Sequence, residues 1–309
     1  MRRALMLSLV ASLGCDLDTV IDILNSAPSS RGGPLVRGSA PTLAPPPGGI
    51  DNVNVAMGVP YDAFPPDDLW LPKRQYVVSY NRFRNGPNWV AWRLTASDIG
   101  TVGRTRQRFS TDSQLPDGIY RVVDGDYAGS GYDRGHLCPS AERTATEEDN
   151  AETFLTSNIV PQRHDVNAGA WENLERWSVN TARQGWDLFI IAGGVWPSTC
   201  ATNLAAGGSP LTAQCPSIGR SNDPSKRVAI PLSTWKVIVV VPRGAGPESV
   251  NASTPVVAVD MPNDGSAGAD WHRYITTVDA IEARTGYELL SNVSASVQAI
   301  LESNAYAGR

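Results

Sequence analysis

Short runs of β-branched and aromatic residues recur along this chain, at residues 75–80, 89–94, 188–192, 235–241 and 256–259. Each has the length of a strand, so together they commit much of the chain to a sheet. Helical patterning is scarcer, at residues 149–154, 168–184, 278–285 and 297–303. The longest of these turns Trp171, Leu174 and Val179 toward an apolar side, with Glu172, Arg176 and Arg183 interspersed. The expected fold class is mixed α+β.

At 309 residues, 41% of them hydrophobic, the chain can bury a sizeable core. From about residue 25 the composition turns to Ser, Pro and Gly, ending in Ala44-Pro45-Pro46-Pro47-Gly48-Gly49, the pattern of an extended tether. We expect a signal peptide over residues 1–15, a disordered linker over 16–51 and a single domain over 52–309. Arg2 and Arg3 precede an apolar run ending at Leu13, which has the shape of a secretory signal and is too short for a stable membrane anchor. Gly14-Cys15 has the form of a lipoprotein processing site, although the Leu usual three residues before the cysteine is replaced by Ser12. Cys15 is either a lipidated membrane tether or an incidental cysteine near an ordinary cleavage site. The expected location is outside the cytoplasm: secreted, periplasmic or lipid-anchored at the cell envelope. In an oxidising compartment Cys200 and Cys215, which bracket a Gly/Ala/Pro-rich loop, are the expected disulfide, the alternative being two unpaired thiols.

Charge does not advertise a polyanionic partner. There are 26 Lys+Arg against 31 Asp+Glu, a net −5, so any nucleic acid must be met by a local patch. Arg104, Arg106, Arg108, Arg134, Arg143 and Arg163 are the candidates for it, ordinary surface arginine being the alternative. Backbone phosphate contacts of that kind position a nucleic acid without reading its bases.

Only three histidines occur, His136, His164 and His272. His136 ends Asp133-Arg134-Gly135-His136, which puts an acid, a cation, a flexible glycine and an imidazole within four residues. Water attacking phosphorus must lose a proton, and a neutral imidazole accepts one at neutral pH. His136 is the candidate general base, and Arg134 can offset the negative charge that grows on the phosphoryl oxygens. Asp133 joins the catalytic candidates, either orienting the site or pairing with a nearby arginine.

A second constellation follows: Asn158-Ile159-Val160-Pro161-Gln162, then Asn167 with Trp171, Leu174 and Glu175 behind it. With Asn167 at a helix start, Glu175 lies about 12 Å further along the axis and about 80° around it, too far for one small ion to bind both directly. A hydrated Mg²⁺ keeps several waters, so Asn167 can bind the ion while Glu175 holds a metal-bound water. Asn167 as a plain helix cap is the competing reading.

These spaced motifs resemble the DNA/RNA non-specific endonuclease family, whose fold is called ββα-metal or His-Me finger. The resemblance runs from about residue 52 to 303 and takes in Gly129-Ser130-Gly131-Tyr132, Trp235-Lys236-Val237 and Met261-Pro262-Asn263. It implies a mixed or antiparallel sheet core with flanking helices. It implies hydrolysis of phosphodiester bonds in single- and double-stranded DNA and in RNA, without sequence preference, leaving 5′-phosphate and 3′-hydroxyl ends. His136 would act as base, Asn167 would bind Mg²⁺ or Mn²⁺, and Glu175 would order the metal's water shell. Arg134 and Arg93 would contact phosphate, with Asn158 among the substrate-binding residues, although Arg93 in a strand also fits a structural ion pair. Family members often carry Arg four residues after the Glu, where this chain has Val179, so a phosphate contact is expected to be missing unless Arg183 replaces it. A non-catalytic exported nucleic-acid-binding lipoprotein on the same fold is the first alternative, and a zinc hydrolase built on Cys138 and His164 is the second. The oligomeric state stays open.

Overall fold

In the structure, a computed structural model, residues 52–63, 65–103, 108–200 and 211–308 are described. The signal-like segment and the linker therefore lie outside the described residues. In chain order the strands are β1 (Leu69–Pro72), β2 (Val77–Asn81), β3 (Gly86–Leu94), β4 (Asp133–His136), β5 (Ile159–Gln162), β6 (Trp186–Val195), β7 (Ser217–Ile218), β8 (Val228–Ala229), β9 (Ser233–Pro242), β10 (Val256–Pro262) and β11 (Ile275–Thr276). The α-helices are α1 (Glu147–Glu152), α2 (Glu172–Arg183), α3 (Val278–Thr285) and α4 (Ala295–Ser303).

Seven strands form one antiparallel sheet in the order β1-β2-β3-β6-β9-β10-β11. Its central strands are buried on both faces, which is why they read as continuous apolar runs rather than alternating ones. Trp92, Ile190, Ile238 and Val257 point to one face, where β5 and α2 cover them through Val160, Trp171 and Leu174. Trp89, Phe189, Val237 and Val239 point to the other, covered by Val55, Met57 and the α3 and α4 residues Val278, Ile281 and Leu301. The disulfide between Cys200 and Cys215 is formed, packed with Leu211 against Ala229 beside the sheet.

Expected and observed helices agree for α3 and nearly so for α1 and α4. The stretch expected as one helix from residue 168 divides instead. Residues Val166–Trp171 form a π-helical turn, and Gly169, at φ −111° and ψ −110°, breaks the backbone before α2. Asn167 is thus on the π turn and not at the N-cap of a regular helix.

Covering the second face buries acids along with the apolar residues. Oxygens of Asp279, Glu282 and Glu302 lie within 4.8 Å of one another where α3 meets α4. Burial pushes Glu282 up to about 7 and Glu302 up to about 8, and Asp67, beneath β1, up to about 7. The folded protein holds these protons more tightly than the unfolded chain. Their contribution to stability is therefore complete below the ordinary carboxyl range and is lost as pH rises through about 7 to 8. The melting temperature should fall between pH 6 and pH 9, and Glu302→Gln should flatten that fall. An unchanged slope in the variant would remove Glu302 from the account.

Candidate active site

β4 and β5 pair antiparallel, with Asp133 opposite Gln162 and His136 opposite Ile159, and α2 follows them across the sheet face. The tetrapeptide is a strand, so Arg134 and His136 share one face of it. Gly135 is required by close approach: a Cβ there would collide with the side chain of Gln162. That side chain is fully buried and donates through Nε2 to Thr234 Oγ1 at 3.0 Å, which ties the hairpin to β9. Asn263 adds a second tie, donating to the carbonyls of Pro161 and Pro231 and accepting from the Arg163 N–H.

The His136 ring is almost wholly buried, with Phe109 at 5.3 Å and Phe154 at 5.0 Å between centroids. Its carbonyl accepts a hydrogen bond from Trp171 Nε1 at 3.0 Å. Trp171 closes the π turn that carries Asn167, so one indole connects the histidine strand to the asparagine turn. Beneath it the ammonium of Lys236, fully buried, stands 4.1 Å from the Trp171 ring and 5.5 Å from the Trp92 ring. Trp92 Nε1 in turn donates to Glu142 at 2.6 Å. Burial raises the Glu142 carboxyl, and the nearby charges of Lys236 and Arg143 oppose that rise. The lysine inside the apolar run of β9 was the available sequence signal for this support.

Among the described residues Asp133 forms no ion pair with an arginine. Its Oδ2 accepts from Asn167 Nδ2 at 3.0 Å and from His164 Nδ1 at 2.8 Å. An ionised carboxylate only accepts, so Asp133 fixes the amide of Asn167 with its NH₂ inward and leaves its carbonyl oxygen for another partner. Asp133, His136, His164, Asn167, Glu172 and Glu175 all line one cavity of about 560 Å³. The break at Gly169 is what brings Asn167 and Glu175 to a common space despite their separation along an ideal helix. His164 and Glu172 join the cavity without having been singled out for it.

Among the described residues, three carboxylates and two imidazoles line this space and no Lys or Arg does. Carboxylates so placed repel a phosphodiester and attract a cation. The donors present are an amide carbonyl and carboxylate oxygens, the hard-ligand set that suits Mg²⁺ or Mn²⁺.

Other candidates lie elsewhere. Asn158 is outside the cavity lining: it is fully buried, accepts from Cys138 N and donates to the carbonyls of Cys138 and Thr153, which staples the segment after His136. Arg93 lines a different cavity and pairs with Asp187 at 2.5 Å, the structural ion pair that its position in a strand allowed. Arg134 is near the site but outside the cavity lining, its guanidinium paired with exposed Asp124 at 2.5 Å and packed against the rings of Phe109 and Tyr127. Val179 is buried on the inner side of α2 and Arg183 is exposed near its end, so neither supplies a cation to the cavity. Of the basic patch, Arg104 and Arg106 fall outside the described residues and Arg143 is buried. Cys138 is buried in the core with its thiol pushed far up by burial, whereas the His164 side chain is 81% exposed, so the two form no zinc site.

Residues 62–296 match the family described as DNA/RNA non-specific endonuclease. A nuclease of Nostoc sp. is 41% identical over 257 residues, which are 82% of this chain and 85% of that protein. Mitochondrial endonuclease G of Homo sapiens is 26% identical over 223 residues, 72% of this chain and 70% of its own. The crystal structure of the EndoG/EndoGI complex aligns with a TM-score of 0.62 at 24% identity, covering 78% of this chain and 91% of the matched one. The fold is thus ββα-metal, with β4, β5 and α2 as the defining unit on an antiparallel sheet. By the extent of the family match and the likeness to the Nostoc nuclease, this chain belongs to the DNA/RNA non-specific endonuclease family.

Proposed function

We propose that this nuclease is an endonuclease that hydrolyses phosphodiester bonds in both DNA and RNA, with His136 as general base and one hydrated Mg²⁺ or Mn²⁺ held by Asn167. The acidic lining of the His136 cavity carries the proposal, because it repels a phosphodiester and attracts a cation. His136 takes the proton of the attacking water, the bond from phosphorus to the 3′ oxygen breaks, and the departing oxygen is protonated from solvent. The ends are then 5′-phosphate and 3′-hydroxyl. Asp133 orients the Asn167 amide, and Glu175 faces the same space to order water. A divalent ion held there supplies positive charge to the phosphate and to the leaving oxygen. Arg134, by exchanging exposed Asp124 for substrate, contacts a neighbouring phosphate.

The presence of His136, Asn167 and Glu175 around one cavity argues against a binding protein that has lost turnover. Export, with Cys15 as a membrane tether or not, is supported by the signal-like first fifteen residues and by the disulfide. Purified protein incubated with supercoiled plasmid, single-stranded DNA and RNA should degrade all three with Mg²⁺ or Mn²⁺ and none with EDTA. Undiminished cleavage in EDTA would overturn the metal, and degradation of DNA alone would overturn the sugar indifference.

A further inference from the structure

A second cavity, of about 370 Å³, opens at the end of the sheet where β3 and β9 finish and β6 begins. Four guanidinium groups line it, those of Arg74, Arg93, Arg143 and Arg243, against two carboxylates, Asp98 and Asp187. Both carboxylates are already engaged. Asp187 accepts from Arg93 and from the Gly244 N–H, and Asp98 accepts from the N–H and hydroxyl of Thr95 at the start of a short helical turn.

Arg74 pairs with Asp149 at 2.6 Å, as Arg93 does with Asp187, and the other two arginines are less fully used. Arg143 is 1% exposed, its hydrogen bonds go only to the backbone carbonyls of Glu142, Gln75 and Arg93, and its Nε has no hydrogen-bond partner. Among the described residues neither Arg143 nor Arg243 forms an ion pair. In a protein of net charge −5 this is a concentrated positive cavity, built from planar donors that match a phosphate group.

Its place in the fold links it to the catalytic cavity. Pro139, Ser140, Ala141 and Thr144 line the catalytic side, while Arg143 of the same segment lines the arginine side. The two are joined at the backbone, where the N–H groups of Thr144 and Ala145 donate to the Asp98 carbonyl at 2.9 and 3.1 Å.

We propose that the arginine-lined cavity is a phosphate-ester subsite, separate from the catalytic cavity and adding cationic contacts beyond it. The ester is either a phosphate of the bound strand away from the scissile bond or that of a free nucleotide. The inference rests on the nuclease reading above.

Arg243 and Arg74 are exposed and outside the catalytic cavity, so Arg243→Ala and the double variant Arg74→Ala/Arg243→Ala test it in the full chain. Steady-state cleavage is compared on a single strand of roughly 20 nucleotides and on a dinucleotide with one phosphodiester. For a strand phosphate, KM on the long substrate rises about tenfold in the double variant while its kcat and dinucleotide cleavage stay at wild-type values. The slope of log KM against log salt then falls by about one per contact removed. For a free nucleotide, calorimetry with thymidine 5′-phosphate shows binding to wild type that the double variant loses, while KM on the long substrate is unchanged. Wild-type values in both arms overturn the subsite. Failure of the wild-type protein to cleave either substrate would instead overturn the nuclease reading.

Discussion

His136→Ala should lower the rate of phosphodiester cleavage by about 10²- to 10⁴-fold, the range that a positioned base contributes, while the protein remains folded. The fold survives because what His136 gives to the architecture is largely backbone. Its ladder pairing with Ile159 and its carbonyl bond from Trp171 Nε1 do not depend on the side chain. What is lost besides the base is ring packing between Phe109 and Phe154, a buried-volume loss of about 2 to 4 kcal/mol that a thermal melt would register. The vacated space adjoins the cavity, so added imidazole should restore part of the rate. His136→Ala cutting plasmid at the wild-type rate would remove the assignment, and His164, the other imidazole in the cavity, would become the first group to test.

Asn167→Ala should raise the Mg²⁺ or Mn²⁺ concentration needed for half-maximal activity by roughly 100-fold or more, since even groups that only orient metal ligands are worth about 10- to 100-fold. Calorimetric titration with Mn²⁺ reads the same loss without relying on turnover. Asn167→Asp separates this role from simple oxygen donation. It supplies a better metal ligand in isolation, yet it removes the amide that donates to Asp133 and places two carboxylates face to face. Asn167→Asp should therefore bind metal more weakly than the native protein. Unchanged Mn²⁺ affinity in Asn167→Ala would mean that the ion is held elsewhere, by Glu172 and Glu175.

The central sheet was legible because β3, β6, β9 and β10 are buried on both faces, and such burial leaves no choice but apolar, β-branched sequence. The strands of the site were not. Asp133-Arg134-Gly135-His136 has no strand propensity of its own and is held extended by its pairing with β5, a tertiary effect. The π turn escaped for a similar reason: its apolar residues have helical spacing, and only the backbone at Gly169 departs from it. Chemistry was easier to read than geometry at His136 and Asn167, whose types are scarce or specifically placed. Asn158 and Arg93 lie outside the catalytic cavity, since a polar residue inside a motif can also serve the fold. Asn158 does so through three hydrogen bonds, and Arg93 through a carboxylate two strand residues from the start of β6. Lys236 and Glu142 were invisible as a pair, being distant in sequence and brought together around the Trp92 ring.

Among the described residues, the ionisable groups of the catalytic cavity come from residues 133–175, one uninterrupted stretch of chain. The chemistry is therefore carried as a single cassette, whereas the arginine-lined cavity draws its side chains from positions spread between residues 53 and 244. Transplanting the stretch into another scaffold would fail unless the host also offered the braces it borrows from the sheet, a buried ammonium beneath Trp171 and a hydroxyl for Gln162.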